Sequence, residues 1–375
     1  MSFVTDHPRL RWAAPAAAIA VTAAATFAVS LSGNASADAT LGPRTPAQLL
    51  VDVQQARLAG VSGTVVQTSN LGLPELTLPG AGGGGSSELA STVSGTHTWR
   101  VWYAGPDKAR LALTGAMGES DIVRNGRDVW LWSSRGASAT HYTVPAGATA
   151  TGATPMPTPS DLPKTPQEAA DRALAALDPS TVVSSPGTTT VAGRAAYELV
   201  LTPREAGSLV ASVRIAVDGE QRVPLRVQVF STRVGAPAFE VGFTSVDFTV
   251  PEARQFAFDP PPGTKVTEGT APTGDAASST PAPADKGTRP RVVGTGWSSV
   301  MVAAMPATSA DQKGSGGGQL AQLQGVLSSL PKVSGTWGSG RLLNGTLFSV
   351  LLTDDGRVVV GAVEPQRLYA ALSAR

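Results

Sequence analysis

The 375-residue chain has 29 basic and 28 acidic residues, three histidines and no cysteine. Balanced charge argues against a broadly basic nucleic-acid or membrane binder and leaves only local patches. The lack of cysteine excludes disulfides, thiolate metal sites, cysteine nucleophiles and a lipidated cysteine.

Arg9 and Arg11 precede Trp12–Leu31, which has no charged residue, and Ala35-Ser36-Ala37 fits the small-residue rule for a signal peptidase site. Most of that stretch is alanine and Pro15 interrupts it. Ile19, Val21, Phe27, Val29 and Leu31 supply about −2 kcal/mol of insertion preference. Residues 1–37 therefore read as a signal peptide or as an N-terminal membrane anchor. Both readings place 38–375 outside the cytoplasm.

Thr45-Pro46-Ala47-Gln48 is a capping box with proline at the first helical position, and it predicts a helix running to about Ala59. A strand follows at Val61–Ser69, then a loop over Leu71–Ser87. His97–Tyr103 alternates Trp99, Val101 and Tyr103 against Thr98, Arg100 and Trp102, and Ala109–Thr114 is the next strand. Asn125-Gly126 between strand formers predicts a type I′ hairpin with Arg124 opposite Arg127 and Ile122 opposite Val129. Ile122, Val129 and Leu131 then share one face, and Val123, Trp130 and Trp132 the other. His141–Val144 extends the sheet.

A proline-rich connection leads to a second capping box at Thr165–Glu168, whose helix stripes Ala170, Ala173, Leu174 and Leu177. Four strands follow: Ala195–Thr202, Leu209–Val217, Val223–Phe230 and Phe239–Val250. In the last, the apolar phase shifts from Phe239, Val241 and Phe243 to Val246, Phe248 and Val250, which predicts a bulge. Phe256 and Phe258 close the unit. About ten strands with two helices as cover predict a strongly curved antiparallel sheet or half-open barrel. Lys265–Pro290 lacks apolar periodicity and reads as a linker. Beyond it, a strand at Val292–Met305, a helix with Leu320, Leu323, Leu327 and Leu330, a hairpin around Asp354-Asp355-Gly356 and a helix from Pro365 predict a small β-α-β-β-α unit.

No catalytic arrangement stands out. Ser329-Leu330-Pro331-Lys332 matches S-x-x-K, but Pro331 disrupts the helix that the pair needs. Gly335–Gly340 reads as a bend, Asp354 and Asp355 as hairpin residues rather than metal ligands. His97 and His141 read as surface or cross-strand partners. The aromatic set around Trp99–Tyr142 is either the core of a large sheet or the lining of an apolar cavity. The candidate cavity residues are Trp99, Trp102, Tyr103, Trp130, Trp132, Tyr197, Leu199, Val227 and Phe243.

The order of a strand, Gly105-Pro106-Asp107-Lys108, a strand, then Ile122–Gly126 and Val129–Trp132, resembles the bacterial lipoprotein carriers (LolA/LolB type). Leu199–Arg204, the hairpin at Asp218-Gly219 and the run Phe256–Gly263 continue the resemblance, over about Pro46–Val266. The same fold occurs in periplasmic regulators of sigma-factor signalling (RseB/MucB type), which carry a second small domain after a linker. The resemblance implies an incomplete antiparallel barrel with an apolar cavity for acyl chains or lipoprotein-like ligands. Gly105 departs from it, standing where the carriers have an arginine before the proline.

The expected protein is therefore mainly β (α+β), with a half-barrel domain over 38–266, a linker over 267–290 and a small α+β domain over 291–375. It is expected to be an exported, non-enzymatic carrier or chaperone for lipid or lipoprotein acyl chains, with no cofactor, metal or nucleic acid. The alternative is a membrane-anchored regulator of sigma-factor or envelope-stress signalling that binds a membrane protein partner.

Overall fold

The computed structural model describes residues 41–72, 95–115, 118–144, 180–269, 291–304 and 330–373. The leader, the helix expected from Thr165 and all but Leu330 of the leucine stripe from Leu320 lie outside the described residues.

Two sheets carry the described chain. The large one contains β1 (Val61–Ser69), β2 (Gly95–Tyr103), β3 (Lys108–Gly115), β4 (Gly118–Asn125), β5 (Asp128–Ser133) and β6 (Ser138–Thr143). It continues with β7 (Thr181–Val191), β8 (Arg194–Pro203), β9 (Val210–Asp218), β10 (Pro224–Ser231), β11 (Pro237–Asp247) and β12 (Lys265–Gly269). The strand order is β12-β6-β5-β4-β3-β2-β1-β11-β10-β9-β8-β7. Two antiparallel meanders, β1–β6 and β7–β11, thus meet where β1 pairs with β11, and β12 adds to β6 in parallel. β7 touches β11 across three intervening strands, the mark of a strongly curved sheet.

The bulge expected in the last strand is present. Register slips between Thr64 and Val65, where Val65 faces Phe243 but Thr64 faces Ser245, leaving Thr244 as the extra residue. The hairpin differs from its expected register. Asn125 pairs with Asp128, so the two-residue loop is Gly126-Arg127, with Gly126 at φ 65°. A positive φ at the first loop residue alone suits glycine there, so the turn moves one residue along the chain. Ile122 now faces Leu131 rather than Val129. The shift changes the pairing by two positions, and because side chains alternate with period 2, each residue keeps its expected face.

Two strands, β7 and β12, have no clear pattern in the sequence. β7 is broken by Pro186-Gly187, and its register slips between Ser184 and Gly187. An edge strand tolerates such a break because proline lacks the donor only a central strand needs. β12 lies inside the expected linker and has Val266 as its one strongly apolar residue.

The helix α1 (Pro46–Gln55) has its capping box complete, with Thr45 and Gln48 bonded reciprocally. It ends before Ala59 because Ala56 turns to extended backbone and Arg57 donates to the Gln54 and Ala56 carbonyls. Its buried Leu49 packs on Tyr197 and Leu199 of β8, with Ile215 and Val183 beside them.

The small sheet has the order β13 (Arg291–Val293), β14 (Val300–Ala304), β18 (Arg357–Gly361), β17 (Ser349–Thr353), β16 (Gly338–Asn344), β15 (Lys332–Gly335). The single strand expected at Val292–Met305 is two antiparallel strands. Gly294, at φ 85°, and a 3-10 turn at Gly296–Ser298 reverse the chain between them. Gly335–Gly340 is part of the β15–β16 hairpin rather than a bend. Helix α2 (Pro365–Ser373) seats Leu368 and Ala371 on Val300, Leu351, Val359 and Val363.

The sheets dock on one another through backbone as well as side chains. Ser208 bridges Val363, Leu209 N–H donates to the Ala362 carbonyl at 2.7 Å, and Thr346 N–H donates to Leu71 at 2.7 Å. Arg233 reaches across to Glu364, to Asn344 Oδ1 at 2.8 Å and to the Gly345 carbonyl at 2.7 Å.

Asp218 shows how the β8–β9–β10 end is held. It is fully buried, receives Arg194, and accepts the Glu220 and Gln221 N–H groups at 2.9 and 2.6 Å. Burial opposes its ionisation, but Arg194 and these N–H groups outweigh it and hold the carboxyl below its usual range. A depressed folded pKa gives stability that is present above the unfolded value near 3.9 and lost as pH falls through the folded one. Asp218→Asn is expected to cost about 3 kcal/mol in urea denaturation at neutral pH, and to flatten the acid limb of the stability curve. A loss below about 0.5 kcal/mol would show that Arg194 does not depend on it.

Candidate functional site

Residues that face one another across antiparallel strands share a side of the sheet, so register sorts the aromatic set. One side is the α1 face. On β2 to β5 it carries Trp99, Val101, Tyr103, Leu111, Ile122, Val129 and Leu131, all half-buried. Across the β1–β11 junction the same side continues through Val65, Phe243, Val241, Val227, Ile215 and Leu199. α1 covers its β7–β8 end, where the Tyr197 hydroxyl donates to the Gly42 carbonyl at 2.7 Å. Of the nine candidate residues, Trp99, Tyr103, Tyr197, Leu199, Val227 and Phe243 have this parity. Phe243 sits at the bulged end and packs against the cluster of Val191, Ala196, Ala216 and Leu225, in which Ala196 and Ala216 have the opposite parity to Tyr197 and Leu199.

Trp102, Trp130 and Trp132 have the opposite parity. Phe258 packs on Trp130 and Trp132, with ring centroids 5.3 and 6.3 Å apart. The turn Ala253–Phe256 lies on β3 and β4, and Phe256 is fully buried there. Trp102 is flanked by the guanidinium groups of Arg100 and Arg110, 5.1 and 5.5 Å from its ring centroid. Arg110 is itself held by the buried Asp121 and by the Gln255 carbonyl. Sequence reading missed this polar network, although Arg100, Arg110 and Asp121 all fall on the phase of Trp102 once the register is known.

The two strand histidines are separated by parity as well as distance along the sheet. His97 lies opposite Gln67 on the α1 side. His141 stacks on Trp130 at 4.4 Å and joins Asp128 at 2.9 Å to Glu268 of β12 at 3.0 Å. Among the described residues no group of three or more His, Asp or Glu side chains is placed to hold a metal ion. No described helix is long and apolar enough to cross a membrane.

No family model matches the chain, and no curated protein matches it in sequence. Among solved structures, the chain is similar to the complex of MucA and MucB from Pseudomonas aeruginosa, at 15% identity and TM-score 0.41, over 87% of this chain and 96% of that one. It is similar to the LolA superfamily protein NE2245 from Nitrosomonas europaea, at 11% identity and TM-score 0.23, over 58% and 99%. It is also similar to LprF from Mycobacterium bovis, at 10% identity and TM-score 0.26, over 55% and 96%. Likenesses this distant leave the function to the residues.

The His141 bridge makes a testable demand. The hydrogen bond to Asp128 raises its pKa, burial opposes, and Glu268 adds to the rise. A raised folded pKa gives stability that is complete below the unfolded value near 6.5 and lost as pH climbs through the folded one. Amide protection in Lys265–Gly269, corrected for intrinsic exchange, should therefore be greater at pH 5.5 than at pH 8.5. The difference should vanish in His141→Asn; an equal difference in that variant would assign it to another group.

Proposed function

We propose that the chain is an extracytoplasmic, non-enzymatic binding protein that holds lipid or lipoprotein acyl chains against the α1 face of its large sheet. One observation carries the reading: a half-buried, mainly apolar surface, unbroken along Val101, Leu111, Ile122 and Leu131 and bordered by Arg124 and Ser120, spans β2 to β5 on the same side as α1, which packs on its far end. A curved sheet that presents such a surface offers a non-directional site, suited to chains without polar groups. Trp99, Tyr103 and Val227 would line the stretch beyond α1, with Phe243 at the bulged end. Tyr197 and Leu199 would form the closed end beneath α1. Trp130 and Trp132 would hold Phe258 in place rather than touch the ligand. The division into a half-barrel domain, a linker and a small domain belongs to this proposal, as does export by the N-terminal segment.

Native mass spectrometry of the exported protein, followed by lipid extraction, tests the reading. An adduct of acyl-lipid mass is expected in the wild type and should be absent in Ile122→Asp, which places a charge on the proposed surface. Secreted wild-type protein of sharp, unliganded mass that binds no fluorescent fatty acid would refute it.

A second reading is favoured by the outer side of the small sheet. Val292, Met301, Val360, Val350 and Leu343 face one another across five strands there, on the side opposite α2, with Val292 65% and Met301 44% exposed. Such a row suits a protein partner, in keeping with an envelope regulator of sigma-factor signalling. Met301→Asp should then abolish co-purification of a membrane protein from solubilised envelopes; a partner retained by that variant would count against this reading.

A further inference from the structure

Beside the β11 bulge, on the side of the large sheet opposite α1, lies a recess of about 250 Å³. Two neighbouring rungs build it. Asp247, Ser62 and Trp102 face one another across β11, β1 and β2, and Ser245, Thr64 and Arg100 form the next rung. The bulge is what brings Ser245 and Asp247 into line with Thr64 and Ser62, because the extra residue Thr244 resets the phase of β11. The cover formed by Ala253–Phe256 lies on β3 and β4 of the same side.

We propose that this recess binds one sugar ring of a neutral glycan, a site separate from the acyl-chain surface on the other side of the sheet. Its chemistry selects by elimination. A cation entering it meets the exposed guanidinium of Arg100, which forms no salt bridge among the described residues. An anion meets the exposed carboxylate of Asp247, already held in place by the Thr249 N–H at 2.8 Å. A purely apolar group leaves both charges and the hydroxyls of Ser62 and Thr64 unanswered. Vicinal hydroxyls answer all of them, because each donates to a carboxylate and accepts from a guanidinium at once.

Trp102 supplies the apolar half of the match. The C–H face of a sugar lies against an indole as other amphipathic groups do, with its hydroxyls at the rim. Arg110, fixed by Asp121 and the Gln255 carbonyl, braces the indole from the β3 side. Arg100 is held over the ring at 5.1 Å in an exposed cation–π contact, which is weak enough for the ligand to displace. The guanidinium then turns to the hydroxyls. The volume equals roughly eight waters of liquid, space for one ring.

The full-length exported protein is applied to an array of immobilised neutral glycans, and the strongest ligand is titrated by calorimetry. Wild type is expected to bind, with Trp102→Ala, Arg100→Gln and Asp247→Asn each weakening affinity about tenfold or more. Arg100 and Asp247 are exposed, so their variants carry the test even if Trp102→Ala does not fold. All folded variants should keep any bound acyl lipid, which separates this site from the acyl-chain surface. Failure of the wild type to bind any neutral glycan overturns the proposal. So does an affinity unchanged in both Arg100→Gln and Asp247→Asn. Binding of inorganic phosphate that Asp247→Asn strengthens, with no glycan bound, would replace it with an anion site.

Discussion

The pairing of β1 with β11 is the contact on which the rest depends. It joins two meanders that are separately local, and its partners, such as Gln67 and Val241, lie far apart in sequence. Closing so long a loop is entropically costly, and the cost is recovered only when the full ladder forms. Glycine makes the ladder possible at two points. A Cβ on Gly63 would collide with the Ser245 carbonyl oxygen, and one on Gly60 with the backbone of Val250. The bulge at Thr244 sits on the same seam, so the junction that completes the sheet also sets the phase of everything beyond it.

That phase produces two unlike faces. On the α1 side the strands present a mainly aliphatic and aromatic surface that crosses the seam at Val65 and Phe243, beside the polar pair of Gln67 and His97. On the other side, polar rungs containing Arg100, Arg110 and Asp121 run into a packed corner built from Trp130, Trp132 and Phe258. The chain's return through Ala253–Phe258 seals that corner and leads directly into β12, which His141 ties to Asp128. The inferred acyl and glycan sites follow that division between an apolar and a polar side.

The small sheet is bound to the large one by direct backbone bonds at Ser208–Leu209 and Thr346, reinforced by Arg233. Backbone bonds of this kind fix orientation more firmly than exposed ion pairs do, since they lose less side-chain entropy on forming. Arg233 adds specificity by satisfying a side-chain carbonyl, a main-chain carbonyl and a carboxylate together.

Local signals set by single residues were legible in the chain itself. The Thr45–Gln48 capping box, the phase shift in β11 and the alternation of Trp99, Val101 and Tyr103 each follow from sterics and hydrogen bonding within a few residues. The face of every residue in the β4–β5 hairpin was legible too, although its turn was misplaced by one, because parity survives a two-position shift in pairing. β7 and β12 were not legible. An edge strand needs neither an apolar alternation nor an unbroken run of donors, so its sequence carries little sign of it. Nor could the chain alone divide the tryptophans between the α1 side and the packed corner. Strand periodicity says which residues agree with one another, but only the assembled sheet decides which side α1 and Phe258 cover.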